Sequence, residues 1–229
     1  MRHEIVHKPS FGMLKVDIER GEVVTAEAGA MVARTPSTAM RTTVSGDPDA
    51  GFGAKLKGYA VALIRKIFGG ESFFVNHFSA DQGGSVWLAP TMSGDVIHFQ
   101  LQQGRTIVVS AGAYLASAGK VAMKLRWGGL RALFAREGLF FLEMTGQGDL
   151  WFNSYGGIEE IEVNGSYVVD TGHIAGFEGN LDFKIRGAGS GLMGLIASGE
   201  GLVCEFQGQG KVYIQTRNEG ALVGLVSRF

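Results

Sequence analysis

The sequence contains very little cysteine and very little proline. Among 229 residues there are one cysteine, Cys204, and four prolines. A single cysteine excludes a disulfide within the chain and any metal site built from several thiolates, and it favours a reducing compartment. So few prolines exclude a proline-rich linker. Because Cys204 lies in the apolar stretch GLVCEF, we expect it to be an unreactive core residue.

The chain also lacks an excess of charge and any long hydrophobic run. Its formal net charge is −1 at pH 7, so no overall field attracts nucleic acid. The longest apolar runs, 58–64 and 220–226, are far shorter than the roughly 20 residues of a membrane-spanning helix. The opening MRHEIVHKPS has no apolar signal segment. We therefore expect a cytoplasmic protein that is soluble or bound peripherally to a membrane.

Glycine is abundant, at 36 residues, and it recurs at matched places in three similar phrases. They read ESFFVNHFSADQGGSVWLA (71–89), EGLFFLEMTGQGDLWFNS (137–154) and EGLVCEFQGQGKVYIQT (200–216). Each phrase predicts two strands joined by a tight glycine turn, and a similar hairpin precedes each phrase. The turn glycines of these predicted hairpins are Gly21, Gly84, Gly104, Gly148, Gly165 and Gly210.

The repetition predicts one compact all-β body over 1–229. We expect three tandem units, at about 12–95, 96–156 and 157–218, each built from short antiparallel strands. In each unit a small-residue turn, EAGAM, SAGAY or DTGHI, leads the chain into a further strand. Because one unit alone leaves sheet edges exposed, a pseudo-threefold arrangement of the three is the simplest fold.

These phrases also carry a resemblance to a known family. GGESFF, REGLFFLEMTGQGDLWF and GEGLVCEFQGQGKVYIQT, with SAGAYLAS and VVDTGHIAGFE between them, resemble the altered-inheritance-of-mitochondria protein 24 family over about 12–218. The resemblance implies three repeats similar to the subunit of the tryptophan RNA-binding attenuator protein, a short double-stranded β-helix of jelly-roll type. It carries over no tryptophan-binding or RNA-binding residues. For mitochondrial relatives it implies a role in inner-membrane organisation.

A segment of different character interrupts the β pattern of each unit, at 58–70, 127–138 and 187–201. Helical spacing of apolar residues in the first two predicts short helical insertions, which the repeat would gather on one face. The apolar residues of this predicted face are Ile64, Ile67, Phe68, Leu130, Leu133, Phe134, Leu192, Met193, Leu195 and Ile196. Its basic rim consists of Lys55, Lys57, Arg65, Lys66, Lys124, Arg126, Arg131 and Arg136. We consider three roles for these insertions: they close the ends of the β body, mediate self-association or contact an anionic membrane.

The residue types that carry catalysis form no recognisable constellation. The five histidines show no His-x-His or His-Glu-x-x-His spacing, which argues against a shared metal site. No Lys-Ser or Lys-Thr follows the GQG sequences to make a phosphate loop, and there is no Gly-x-Ser-x-Gly elbow. We therefore expect no catalytic residues, no metal and no cofactor.

Two repeated residue sets receive structural interpretations. The acidic set opens the three phrases and is expected to accept backbone hydrogen bonds, with an acidic ring as the alternative. The aromatic set is expected in the core, with a ligand-stacking surface as the alternative. The acidic set is Glu71, Glu137 and Glu200, and the aromatic set is Trp87, Trp151 and Tyr213.

Taken together, these features predict a non-enzymatic binding or scaffolding protein. We expect a homo-oligomer that uses the face of the three insertions, with a protein or a peripheral membrane as a further partner. The alternative is a small-ligand or nucleic-acid binding module that uses clefts between the repeats, although the near-zero charge disfavours nucleic acid.

Overall fold

The computed structural model describes residues 1–44, 74–127, 140–188 and 202–227. Within these residues the protein is mostly β-strand, arranged in two antiparallel sheets, with one short C-terminal helix. The all-β prediction is confirmed in these terms. The C-terminal helix was not predicted from the sequence.

The strands are β1 (Arg2–Val6), β2 (Met13–Ile18), β3 (Val23–Glu27), β4 (Met31–Arg34), β5 (Thr38–Val44), β6 (Phe74–Ala80), β7 (Gly84–Leu88), β8 (Val96–Leu101), β9 (Ile107–Ser110), β10 (Tyr114–Trp127), β11 (Phe140–Asn153), β12 (Ile158–Asp170), β13 (Ile174–Gly187) and β14 (Leu202–Gln215). Two single 3-10 turns span Ala111–Ala113 and Thr171–His173, and helix α1 spans Glu219–Val226.

The smaller sheet has four strands in the order β1-β2-β7-β4, and the larger has ten. The larger sheet runs β12-β14-β13-β9-β11-β10-β3-β6-β5, with β8 also paired to β11. The pairing follows a recurring scheme, in which β14 lies between β12 and β13 and β11 lies between β10 and the successive strands β8 and β9. Short ladders of three residue pairs each join β3 to β10 and β9 to β13.

A β-bulge recurs where β4, β10 and β13 begin. The register shifts between Met31 and Ala33 against β7, and the same shift occurs on the two longer strands. Those shifts lie at Tyr114/Ala116 against β11 and at Ile174/Gly176 against β14. The small-residue turns predicted before these strands are confirmed, since 28–30 forms a turn and SAGAY and DTGHI contain the two 3-10 turns. Each bulge bends its strand just after such a turn.

The core follows from alternation along the strands. Val16 and Ile18 are buried whereas Asp17 and Glu19 are exposed, as the period-2 pattern predicts. The β2 side chains pack with Trp151 of β11, so the two sheets share one apolar cluster. Two further clusters continue the core through β9, β11, β13 and β14.

The predicted hairpins are wrong, although Gly21 and Gly104 do lie in turns. The strands that flank those two turns do not pair with each other. The turn before Gly84 occupies 81–83, and it sends β6 and β7 into different sheets. The other three predicted turn glycines lie inside continuous strands, Gly148 in β11, Gly165 in β12 and Gly210 in β14.

The GQG sequences mark places where two backbones approach closely. A Cβ atom on Gly146, whose φ is 110°, would lie 2.1 Å from the carbonyl oxygen of Lys120. A Cβ atom on Gly208, with φ 127°, would lie 2.1 Å from the carbonyl oxygen of Asn180. Only glycine inside a strand permits such a close approach. Glycines selected for this reason look the same in the sequence as glycines selected for a turn.

Candidate functional site

The predicted apolar face lies outside the described residues and stays a prediction. Of its basic rim, Lys124 lies exposed on β10 and Arg126 belongs to the same strand. The other residues of the face and rim, and the three glutamates, fall outside the described ranges: Ile64, Ile67, Phe68, Leu130, Leu133, Phe134, Leu192, Met193, Leu195, Ile196, Lys55, Lys57, Arg65, Lys66, Arg131, Arg136, Glu71, Glu137 and Glu200.

Two histidines and a carboxylate meet where the two sheets face each other. His3 comes from β1 of the smaller sheet, and His98 and Asp149 come from β8 and β11 of the larger sheet. His98 stands directly opposite Trp151 in the β8–β11 ladder. Asp149 is two residues before Trp151, so its side chain leaves the same face of the sheet. Strand register therefore brings together residues that are distant in sequence.

The three side chains form a compact cluster of ligand atoms. One nitrogen of each imidazole and one carboxylate oxygen all lie within 4.8 Å of one another. His98 Nε2 is 2.7 Å from Asp149 Oδ1, and the two side chains are 28% and 22% exposed. The ring centroids of His3 and His98 are 4.3 Å apart. The cluster is thus accessible from solvent yet enclosed on its inner side.

Trp151 forms the inner wall of this cluster. Its ring is fully buried and stacks on His98 with centroids 5.6 Å apart, and it meets the ring of His3 at 5.1 Å. Burial and the neighbouring His98 lower the pKa of His3 below its usual range. Both effects favour the neutral imidazole, the form that can donate a lone pair.

A second polar group is buried where the turn after β8 meets β13 and β14. Glu178 accepts hydrogen bonds from Arg105 Nε at 2.8 Å and from Arg105 Nη2 at 2.9 Å. The hydroxyl of Tyr213 donates to the same carboxylate at 2.9 Å. Arg105 also lies over the ring of Phe99, 4.7 Å from its centroid. This arrangement joins the turn after β8 to β13 and β14, which indicates a structural role.

Two strands at the ends of the sheets expose apolar side chains. In the described part of the chain, β4 pairs with β7 alone and β12 with β14 alone. Val32 of β4 is 55% exposed, and Tyr167 and Val168 of β12 are each 45% exposed. An unpaired strand edge with apolar side chains is a template for pairing with another chain.

Comparison with known proteins establishes the family. The family model described as Mitochondrial biogenesis AIM24 matches residues 3–217. The chain belongs to the AIM24 family. The resemblance recognised in the sequence is thereby confirmed.

This AIM24-family chain has relatives in Streptococcus pyogenes. It is 32% identical over 232 residues to the uncharacterized protein M6_Spy0233 of serotype M6, covering 100% of this chain and 91% of the relative. The X-ray crystal structure of protein SPYM3_0169 matches its fold with a TM-score of 0.81 at 28% identity, over 99% of this chain and 98% of that chain. Neither name assigns an activity or a ligand to its protein.

The remaining histidines of the AIM24-family chain have structural settings. His77 is buried, with Thr25 Oγ1 2.9 Å from Nδ1 and Thr43 Oγ1 2.8 Å from Nε2, so both of its ring nitrogens are hydrogen-bonded. His173 Nδ1 lies 2.7 Å from the carbonyl oxygen of Gln215. His7 is exposed just after β1. Of the five histidines, only His3 and His98 therefore belong to the cluster of ligand atoms found among the described residues.

Most of the residues that the sequence assigned to the core are buried in the structure. Cys204 is buried, and burial raises the pKa of its thiol to about 12, as expected for an unreactive core cysteine. Trp151 and Tyr213 are buried as expected, whereas Trp87 is 39% exposed with Lys15 Nζ 4.7 Å from its ring centroid. Among the described residues, no helix is both long and apolar enough to cross a membrane.

Proposed function

We propose that this AIM24-family chain is a non-enzymatic binding or scaffolding protein, which assembles as a homo-oligomer by joining sheet edges of successive copies. One observation carries the proposal: among the described residues, the ladders that join β3 to β10 and β9 to β13 have no third counterpart between β12 and β4, and both of these strands carry exposed apolar side chains.

The proposal rests on the alignment of three quasi-equivalent units, at about 12–95, 96–156 and 157–218. Their recurring bulges give the alignment, since Met31, Tyr114 and Ile174 begin β4, β10 and β13 and stand beside the same register shift. A pseudo-threefold relation of the units is supported by these bulges and by the recurring central position of the last strand.

The alignment identifies which edges are left over. The first ladder joins 24–26 of β3 to 116–118 of β10, and the second joins 107–109 of β9 to 176–178 of β13. The equivalent third ladder would join 167–169 of β12 to 33–35 at the end of β4. In the described part of the chain neither strand has that partner.

A second copy fits both edges because the missing partner of each is the other. The β12 edge of one copy would pair with the β4 edge of the next, with Val168 and Val32 covered in the contact. Such a contact is heterologous, so it produces a ring if the rotation closes and a filament if it does not.

Lysine substitutions at each edge test this assembly. Val168→Lys blocks the β12 edge and Val32→Lys blocks the β4 edge, and both positions are exposed, so both variants are expected to fold. Val223→Lys on α1 is the matched control, since Val223 is an exposed valine that belongs to neither edge strand. Size-exclusion chromatography with light scattering should show higher assemblies for the wild type and the control, and monomers for each edge variant.

Mixing the two edge variants gives the sharpest result. Each retains one good edge, so an equimolar mixture should form one-to-one dimers that do not grow further. A monomeric wild type, or edge variants that assemble like the wild type, would overturn the proposal. Dimers formed by one edge variant alone would replace it with a symmetric contact.

A second candidate function is docking on an anionic membrane, favoured by helix α1. Its residues Val223, Leu225 and Val226 are all exposed, and Arg217 is exposed just before the helix. Exposed apolar side chains beside a cationic residue suit the headgroup boundary of an anionic membrane. Flotation with phosphatidylserine-containing vesicles tests it: the wild type should float and Val223→Glu, which places a negative charge against anionic lipid, should not, while equal flotation of both would exclude α1 as the contact.

A further inference from the structure

We propose that His3, His98 and Asp149 form a binding site for a divalent zinc-class metal ion, with three protein ligands and one coordination position open to solvent. The site is independent of the edge-to-edge assembly, because neither β4 nor β12 contributes a ligand.

The donor set defines the class of metal. Two imidazoles and one carboxylate are ligands of zinc and of neighbouring late first-row ions, whereas magnesium and calcium prefer oxygen donors. Three protein ligands with a fourth position for water is the arrangement of open zinc sites. The partial exposure of His98 and Asp149 leaves room for that fourth ligand.

The spacing of the donors is close to what coordination requires. In a tetrahedral zinc site with bonds of about 2.0–2.1 Å, the ligand atoms lie roughly 3.3 Å from one another. Here they already lie within 4.8 Å, and His98 Nε2 and Asp149 Oδ1 are in hydrogen-bond contact at 2.7 Å. Small side-chain rotations therefore suffice, and the strands that carry the ligands need not move.

The surroundings hold two of the ligands in place before a metal arrives. His98 stacks on the buried ring of Trp151, and His3 meets the same ring in a T-shaped arrangement. Gln100, which pairs with Asp149 across the ladder, donates from Nε2 to the carbonyl oxygen of Gly148 at 2.9 Å. A hydrogen bond between His98 and Asp149 alone would not require a second imidazole 4.3 Å from the first.

Zinc titration of untagged, chelator-treated protein tests the site. Isothermal titration calorimetry should show one equivalent bound, and the fluorescence of Trp151 should change in step because its ring contacts both histidines. Trp87→Phe, which removes a tryptophan whose ring lies against Lys15, should keep both the fluorescence change and the calorimetric signal. Cobalt(II) in place of zinc should give the visible absorption of a four-coordinate nitrogen and oxygen site.

Ligand variants identify the residues involved. His98→Asn, His3→Gln and Asp149→Asn should each weaken zinc binding at least about 100-fold, a larger loss than second-shell changes usually cause. His7→Asn is the matched control, since it removes an exposed imidazole from the same N-terminal segment and asparagine tolerates the φ of 60° found there.

Two results would overturn the site. One is a wild type that binds no zinc at tens of micromolar, and the other is wild-type affinity in both His3→Gln and Asp149→Asn. Should His98→Asn fail to fold, those two variants still decide, because both side chains are partly exposed and His3 lies on an edge strand. His7→Asn should bind zinc like the wild type, since His7 does not belong to the cluster.

Discussion

Replacing Glu178 by glutamine should destabilise the protein measurably. The carboxylate is 7% exposed and accepts three hydrogen bonds, two from Arg105 and one from the hydroxyl of Tyr213. Breaking a fully buried ion pair costs about 3–5 kcal/mol. Arg105 is 47% exposed and regains water when its partner is lost, so we expect about 2 kcal/mol for Glu178→Gln.

The Tyr213 hydroxyl provides a second measurement of the same network. Tyr213→Phe removes one hydrogen bond to a charged group, which is worth about 1.5 kcal/mol. Because Glu178→Gln already weakens that bond, the double variant should cost about 1 kcal/mol less than the sum of the two single changes.

Urea denaturation followed by circular dichroism measures both effects, provided that the slope of the transition is unchanged. Glu205→Gln is the control, because Glu205 forms its 3.0 Å pair with Arg186 on the exposed surface and its loss should be undetectable. If Glu178→Gln is as stable as Glu205→Gln, or if the double variant is strictly additive, the network does not stabilise the fold as described.

Three further predictions concern backbone packing and buried ionisable groups. Gly146→Ala should lower the free energy of unfolding in urea by about 3–4 kcal/mol, because its Cβ would meet the Lys120 carbonyl. Gly104→Ala, with φ 83° and open space around it, should lower it by only about 1–2 kcal/mol. Equal losses in the two variants would exclude the close approach at Gly146. Burial raises the pKa of Tyr114 well above its usual range, so the stability that its protonated phenol contributes is complete below pH about 10 and is lost as pH rises further; Tyr114→Phe should flatten that decline, and an unchanged slope would contradict it. Cys204 should resist a thiol reagent in native protein at pH 8 and react in urea, because burial raises its pKa to about 12; rapid native labelling would contradict its core position.

The edges proposed for assembly were reachable from sequence only in part. The repeated turns EAGAM, SAGAY and DTGHI align the three units, and this alignment alone identifies 33–35 and 167–169 as equivalent to paired segments elsewhere. Which of these segments lack a partner depends on long-range pairing, which the local pattern does not report. The predicted apolar insertions lie outside the described residues.

The candidate metal cluster was missed for a similar reason. His3 and His98 have no metal-ligand spacing, and Asp149 follows a GQG sequence that suggested a turn. The available signal was the pairing of the HFQLQ and GDLWF stretches, which places His98 opposite Trp151 with Asp149 on the same face. Without the β8–β11 register and the position of β1, nothing in the sequence connects the three side chains.

The amino-acid sequence by itself determined the family, the β character of the chain, the alternation of buried and exposed positions in β2 and the small-residue turns before β4, β10 and β13. These are local properties, set by side-chain periodicity and backbone preference over a few residues. Only the tertiary structure decided that the GQG glycines lie inside strands, that β6 and β7 enter different sheets, and that His3, His98 and Asp149 meet. Those outcomes depend on strand order and register, which are selected by the packing of the whole core.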